Sequence, residues 1–135
     1  MMDRISEIVA DALGQSRRVR KRLDVKIIPI LDPRHRTFAG DISRRIASRN
    51  IVNEAFLRDI ETLILRVGEE AERETSYAWH GHEHDPECGY KVAVRSERAG
   101  ALQLAQDELV ELATLVQAAL DAVQACVIAN QLFDL

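Results

Sequence analysis

The stretch "SYAWHGHEHDPECGY", residues 76–90, gathers three of the chain's four histidines, one of its two cysteines and three of its six aromatic residues. Imidazole nitrogen and thiolate sulfur are ligands that suit Zn²⁺, and they also serve Ni²⁺ or Cu²⁺. On an extended limb His80, His82 and His84 share one face, because side chains alternate with a period of two. Cys88, past the Asp85-Pro86 turn, is placed to come back toward them. Three imidazoles and a thiolate complete a closed tetrahedral zinc site, whereas three imidazoles alone leave a position open for water. In a second reading Tyr77, Trp79 and Tyr90 supply the contact area of a loop that recognises a protein partner. In a third the loop is a solvated turn that binds nothing. Ligands one residue apart are less constrained than paired CxxC spacing, so the three readings stand side by side.

A second group of chemically capable residues is "RRVRKR", with Arg17, Arg18, Arg20, Lys21 and Arg22 within six positions. Cations at a helix C-terminus are favoured by ~0.3–1 kcal/mol each, through the carbonyl end of the dipole. That explains part of the cluster, and contact with nucleic acid or phosphate is the other reading. The remaining enzyme signatures are missing: there is no Gly-rich phosphate loop and no GxSxG. An enzyme would therefore need a catalytic metal bound in the 76–90 stretch. "HGHEHD" differs from the HxHxDH run of metallo-β-lactamases by the order of His84 and Asp85, and no family is assigned.

These groups must be positioned by helices. Ile5, Ile8, Val9, Ala12 and Leu13 follow the i, i+3, i+4 spacing of an amphipathic helix, which predicts an N-terminal basic helix over 3–22. "VKIIPIL" is short and β-branched, and its Pro29 lacks a backbone donor, so an extended connector is expected over 24–40. In this reading Asp32-Pro33 starts a turn and Asp41 caps the next helix. Leu57, Ile60, Ile64, Val67 and Ala71 carry helical periodicity through 41–73, with a break near Asn50. The segment "DISRRIASRNIVNEAFLRDI" resembles a helix-turn-helix, although Ile51 stands where the tight turn usually takes glycine.

From Leu102 to Phe133 apolar residues alternate by three and four without a slip: Leu102, Ala105, Leu109, Leu112, Val116, Ala119, Val123 and Cys126 lead to Asn130 and Phe133. Such heptads specify a long helix with a packing seam, and Leu104, Leu115, Leu120, Val127 and Ile128 make it apolar on further faces. A helix of this length extends ~50 Å, whereas a compact chain of this size is under ~40 Å across. The expected fold is mainly α. A long antiparallel helical hairpin of 41–73 and 97–133 follows the N-terminal helix, with a small β-hairpin at 75–95 and the His-rich tip loop at 76–91. The uncovered apolar face predicts dimerisation into a helical bundle.

At 135 residues and 47% apolar composition, a single domain with its own core is expected. No uninterrupted apolar run approaches ~18 residues, and the N-terminus does not resemble a secretory signal, so a cytoplasmic protein without membrane contact is the expectation. Residues 1–50 carry 12 Lys/Arg against 6 Asp/Glu, and residues 51–135 carry 6 against 16. A basic half can dock on an acidic half or meet a polyanion. The function expected first is a non-enzymatic, self-associating helical binding or assembly protein whose tip loop contacts a protein partner. A zinc-binding regulator using His80, His82, His84 and Cys88, and a nucleic-acid-binding protein using the basic half, are the alternatives.

Overall fold

A computed structural model describes the backbone of residues 2–81 and 89–133, with side chains over 4–76 and 96–129. The chain is mainly helical. Helix α1 (Met2–Arg22) runs into a π-helical turn (Leu23–Ile27) and a 3-10 turn (Ile28–Ile30); α2 (Pro33–Ala47) and α3 (Glu54–Arg73) follow. Strands β1 (Thr75–Gly81) and β2 (Gly89–Arg95) then pair antiparallel, from Thr75 opposite Arg95 to Gly81 opposite Gly89. Helix α4 (Glu97–Phe133) closes the order with 37 residues.

Helix α4 lies between α1 and α3, each of which packs on it extensively. Gln106 Nε2 reaches the Ile64 carbonyl and Arg98 reaches Glu70, so α3 and α4 run in opposite directions. Gln15 contacts Glu111 and Arg22 contacts Glu108, which sets α1 antiparallel to α4 as well. Helix α2 packs on both α1 and α3. The core between them contains Phe56, Ile60, Leu63 and Val67 of α3, Ile42 and Ile46 of α2, and Leu102, Leu109, Leu112 and Val116 of α4.

The extended connector expected over 24–40 is instead helical. Leu23, Ile27 and Leu31 recur every four residues and all three are buried, which a helical path with a widened turn satisfies and a strand does not. Pro29 falls in the first turn of the 3-10 segment and Pro33 opens α2, positions where the missing N–H costs nothing. Asp32 is the N-cap of α2: its Oδ1 accepts from the Arg34 amide at 3.0 Å. Asp41, expected as that cap, lies inside α2 and pairs with Arg44. The segment 41–73 is therefore not one arm. Ser48–Asn53 separates two helices, and the α3 cap is Asn53, whose Oδ1 accepts from the Phe56 amide at 2.7 Å.

The C-terminal end of α2 is a Schellman arrangement. The Arg49 amide donates to Ile46 O at 3.0 Å and the Asn50 amide to Arg45 O at 3.0 Å. Arg49 takes the left-handed conformation, φ 59°, at the position where glycine is usual. A side chain there costs ~1–2 kcal/mol of backbone strain. Ile51, in the segment resembling a helix-turn-helix, is buried, while Ala47 is exposed.

Helix α4 also passes a test the uninterrupted-run criterion misses. Within Glu97–Ala129 an 18-residue window reaches a mean hydropathy of 1.7, long and apolar enough by composition to cross a membrane, with 17% of the window buried. The buried part of α4 is its first half, whereas this window is mostly uncovered by the rest of the chain.

Candidate functional site

The His-rich stretch continues directly from α3 and leads directly into α4. In the ladder Tyr77 stands opposite Ala93, Trp79 opposite Lys91 and His80 opposite Tyr90. Their side chains, and the whole of His82, His84 and Cys88, lie outside the described residues. The ladder's last pair is Gly81 with Gly89, so His82 and Cys88 are its immediate neighbours in sequence. Among the described residues no group of three or more His, Cys, Asp or Glu could hold a metal ion.

A charged network that sequence reasoning missed lies at the root of this hairpin. Glu70, 3% exposed, accepts from the Asp32 amide at 2.8 Å and from Arg98 Nη2 at 2.7 Å. Arg98 also pairs with Glu74 at 3.0 Å and donates through Nε to the Ile30 carbonyl at 2.9 Å. One guanidinium thus ties α3 and α4 to the end of the 3-10 turn. Hydrogen bonds from the Arg34 side chain and backbone, against a smaller opposing cost of desolvation, lower the pKa of Asp32 to about 2. The charges compensate one another here, and the sequence separates Arg98 from Glu70 by 28 residues and from the Ile30 carbonyl by 68.

The five basic residues of α1 split into two sets. Arg22 is half-buried and donates to Glu108 at 2.7 Å, and Arg18 holds Gln15 Oε1 at 2.6 Å. Arg22 is committed to the packing of α1 on α4, and Arg18, itself exposed, holds the Gln15 that reaches Glu108 and Glu111. Arg17, Arg20 and Lys21 are exposed, and Arg20 stands 3.5 Å from Asp24. The dipole explanation weakens, because helical backbone continues past Arg22 as far as Ile30. The carbonyls at that end are served by other guanidiniums: Arg36 bonds Leu31 O at 2.9 Å and Pro29 O at 3.3 Å, and Arg98 bonds Ile30 O.

Helix α4 changes character along its length. Leu102, Leu109, Leu112, Val116 and Ala119 are fully buried, each 0% exposed. Beyond them the same seam leads to Val123, 40% exposed, while Val127 and Ile128 are each 49% exposed. The cover ends because its neighbours end. Helix α3 begins at Glu54, which shares a groove with Gln117, Leu120 and Asp121. About twelve residues of α4, ~18 Å, continue past that level. Asp121 is the sole charged residue from Leu112 to Ala129. What this end offers is apolar surface, with the Cys126 thiol among it. The chain matches no protein-family model, no curated protein and no solved structure.

Proposed function

We propose that this chain is a non-enzymatic, self-associating helical assembly protein, and that the projecting end of α4 is where a second copy joins. The observation that carries this reading is the loss of cover along one continuous seam, from Ala119 at 0% exposure to Val123 at 40%, with Val127 and Ile128 beside it at 49%. A second copy is the occupant favoured by composition. With one acid in eighteen residues, two such ends meet without like-charge repulsion, and a two-fold contact buries the same patch on both sides. Fully burying a Val or Ile contributes roughly 1.5–3 kcal/mol, and association costs 4–15 kcal/mol or more. Val123, Val127 and Ile128 are already half-buried, so two copies gain about half of six such contributions, roughly 4–9 kcal/mol, and the half-buried Ile5, Ile8 and Val9 of α1 add to the area.

Light scattering of the full chain at micromolar concentration tests the proposal. A dimer or higher mass that Val123→Glu/Val127→Glu converts to monomer supports it. A monomeric mass throughout the micromolar range would remove it. Flotation with lipid vesicles separates the other occupant: co-migration of the full chain with vesicles, without self-association in solution, assigns the apolar end to a membrane.

The hairpin between α3 and α4 would present Tyr77, Trp79 and Tyr90 to a protein partner at the opposite end of the molecule from this contact. A zinc reading of the same stretch is favoured by one observation, the ladder closing at Gly81 and Gly89 beside His82 and Cys88. It predicts near-stoichiometric zinc in protein purified without a His tag, lost in His82→Ala/His84→Ala. No metal by elemental analysis and no thermal shift on adding zinc would discard it.

A further inference from the structure

We infer that the groove between α1 and the C-terminal end of α2 is an oxyanion site that takes phosphates of a nucleic-acid backbone. The groove has a volume of about 220 Å³ and is lined by Arg17 and Arg20 of α1 and by Arg49 beyond α2, with Leu13, Ile46 and Ala47. Lys21 continues the same face of α1 into an adjoining groove with Arg17 and Arg20. Among the described residues no carboxylate lies within ion-pair distance of Arg17, Lys21 or Arg49. The one nearby acid is Asp24, which stands 3.5 Å from Arg20 and accepts from Ser43 Oγ at 2.6 Å. The groove keeps a positive excess after that contact.

Two structural explanations of the bases on α1 fall short. Helix-end electrostatics do not apply, since helical backbone passes Arg17, Arg20 and Lys21 and continues to Ile30. Among the described residues, docking of the basic half on the acidic half uses two of its twelve bases as ion pairs, Arg22 with Glu108 and Arg45 with Asp59. Backbone geometry argues against arginine at position 49, because its φ of 59° is the conformation glycine adopts at least cost. A strained position that keeps a long cationic side chain, aimed with two more guanidiniums at one groove, points to use of the charge.

Guanidinium forks match phosphate oxygens in pairs. The lining offers no aromatic plate on which a base could stack. Contact is therefore with the backbone and independent of sequence, and the spread of charge from Arg17 through Lys21 suits successive phosphates of one strand.

Fluorescence anisotropy of the full chain with a short labelled DNA duplex of arbitrary sequence tests this. Binding is expected at low salt, weakening steeply as salt rises. Arg17→Gln/Arg20→Gln/Arg49→Gly should make the slope of log affinity against log salt shallower by about 2.7, the value for three lost phosphate contacts. Arg58→Gln, on α3, should leave that slope unchanged. Arg49→Gly alone supplies the readout a purely structural role would not give: it should raise the melting temperature while weakening duplex binding. The inference is overturned by no binding at low salt, by a wild-type slope in the triple variant, or by equal affinity for polyglutamate matched in charge count to the duplex. Val123→Glu/Val127→Glu should keep the salt-dependent duplex binding, which separates this site from self-association.

Discussion

Glu70 is a buried carboxylate, 3% exposed, and its second oxygen, Oε2, has no hydrogen-bond partner among the described residues. Its charge is tolerated because Arg98 and the Asp32 amide face the first oxygen. Breaking such a pair from the exposed side leaves the buried charge behind, so Arg98→Met should cost about 3 kcal/mol in denaturant unfolding. Glu70→Gln keeps an acceptor and removes the charge, and should cost clearly less. Asp32 gives the pH dependence. Its folded pKa, about 2, lies below the ordinary carboxylate value of 3.8, so its contribution is fully present above about pH 4 and is lost as pH falls toward 2. Asp32→Asn retains an N-cap oxygen without the titration, and acid unfolding followed by circular dichroism should show a flatter slope in that window. Neither network was legible in the sequence. Asp32 and Glu70 stand 38 positions apart, and their meeting depends on a connector that reads as extended until its buried residues are seen.

At the scale of elements, the helices with regular stripes were legible and the short ones were not. Six buried residues of the α4 seam, and most of those in α3, follow from the three-four alternation alone. The connector and the start of α2 were misread because Pro29 and Pro33 look like breakers, whereas each sits in a first turn. Asn53 is the signal that marks the true start of α3. Asn53→Ala removes the acceptor of the Phe56 amide and should lower stability by ~1 kcal/mol, measured by urea unfolding. Gly68 marks the close approach of α3 and α4: a Cβ there would overlap Gln106 Nε2. Gln106 is a flexible side chain, and moving it forfeits its bond to Ile64 O at 3.3 Å. The better helix propensity of alanine, ~1 kcal/mol, offsets that loss, so Gly68→Ala should be near neutral. In a Gln106→Ala background the same change should stabilise.

For the molecule as a whole, the disproportion between α4 and its neighbours decides the behaviour. Sequence length already implied a helix longer than a compact body of this size, and apolar faces in excess of one partner. It could not say which end would be left over, because that depends on where α1 and α3 stop along α4. The structure puts the surplus at the C-terminal end, past Asp121, where the core has finished and the apolar seam has not. Association that buries this end links folding to concentration, since a state that binds its own copy is stabilised by mass action. The melting temperature of the full chain should therefore rise as protein concentration increases. A chain ending at Asp121 keeps every α4 residue that is fully buried among the described ones, from Ala99 to Ala119, so it should fold, remain monomeric and melt at a temperature independent of concentration. If the full chain's melting temperature is equally indifferent to concentration, while the truncated chain unfolds, the C-terminal end is a structural part of one protomer and not a contact between two.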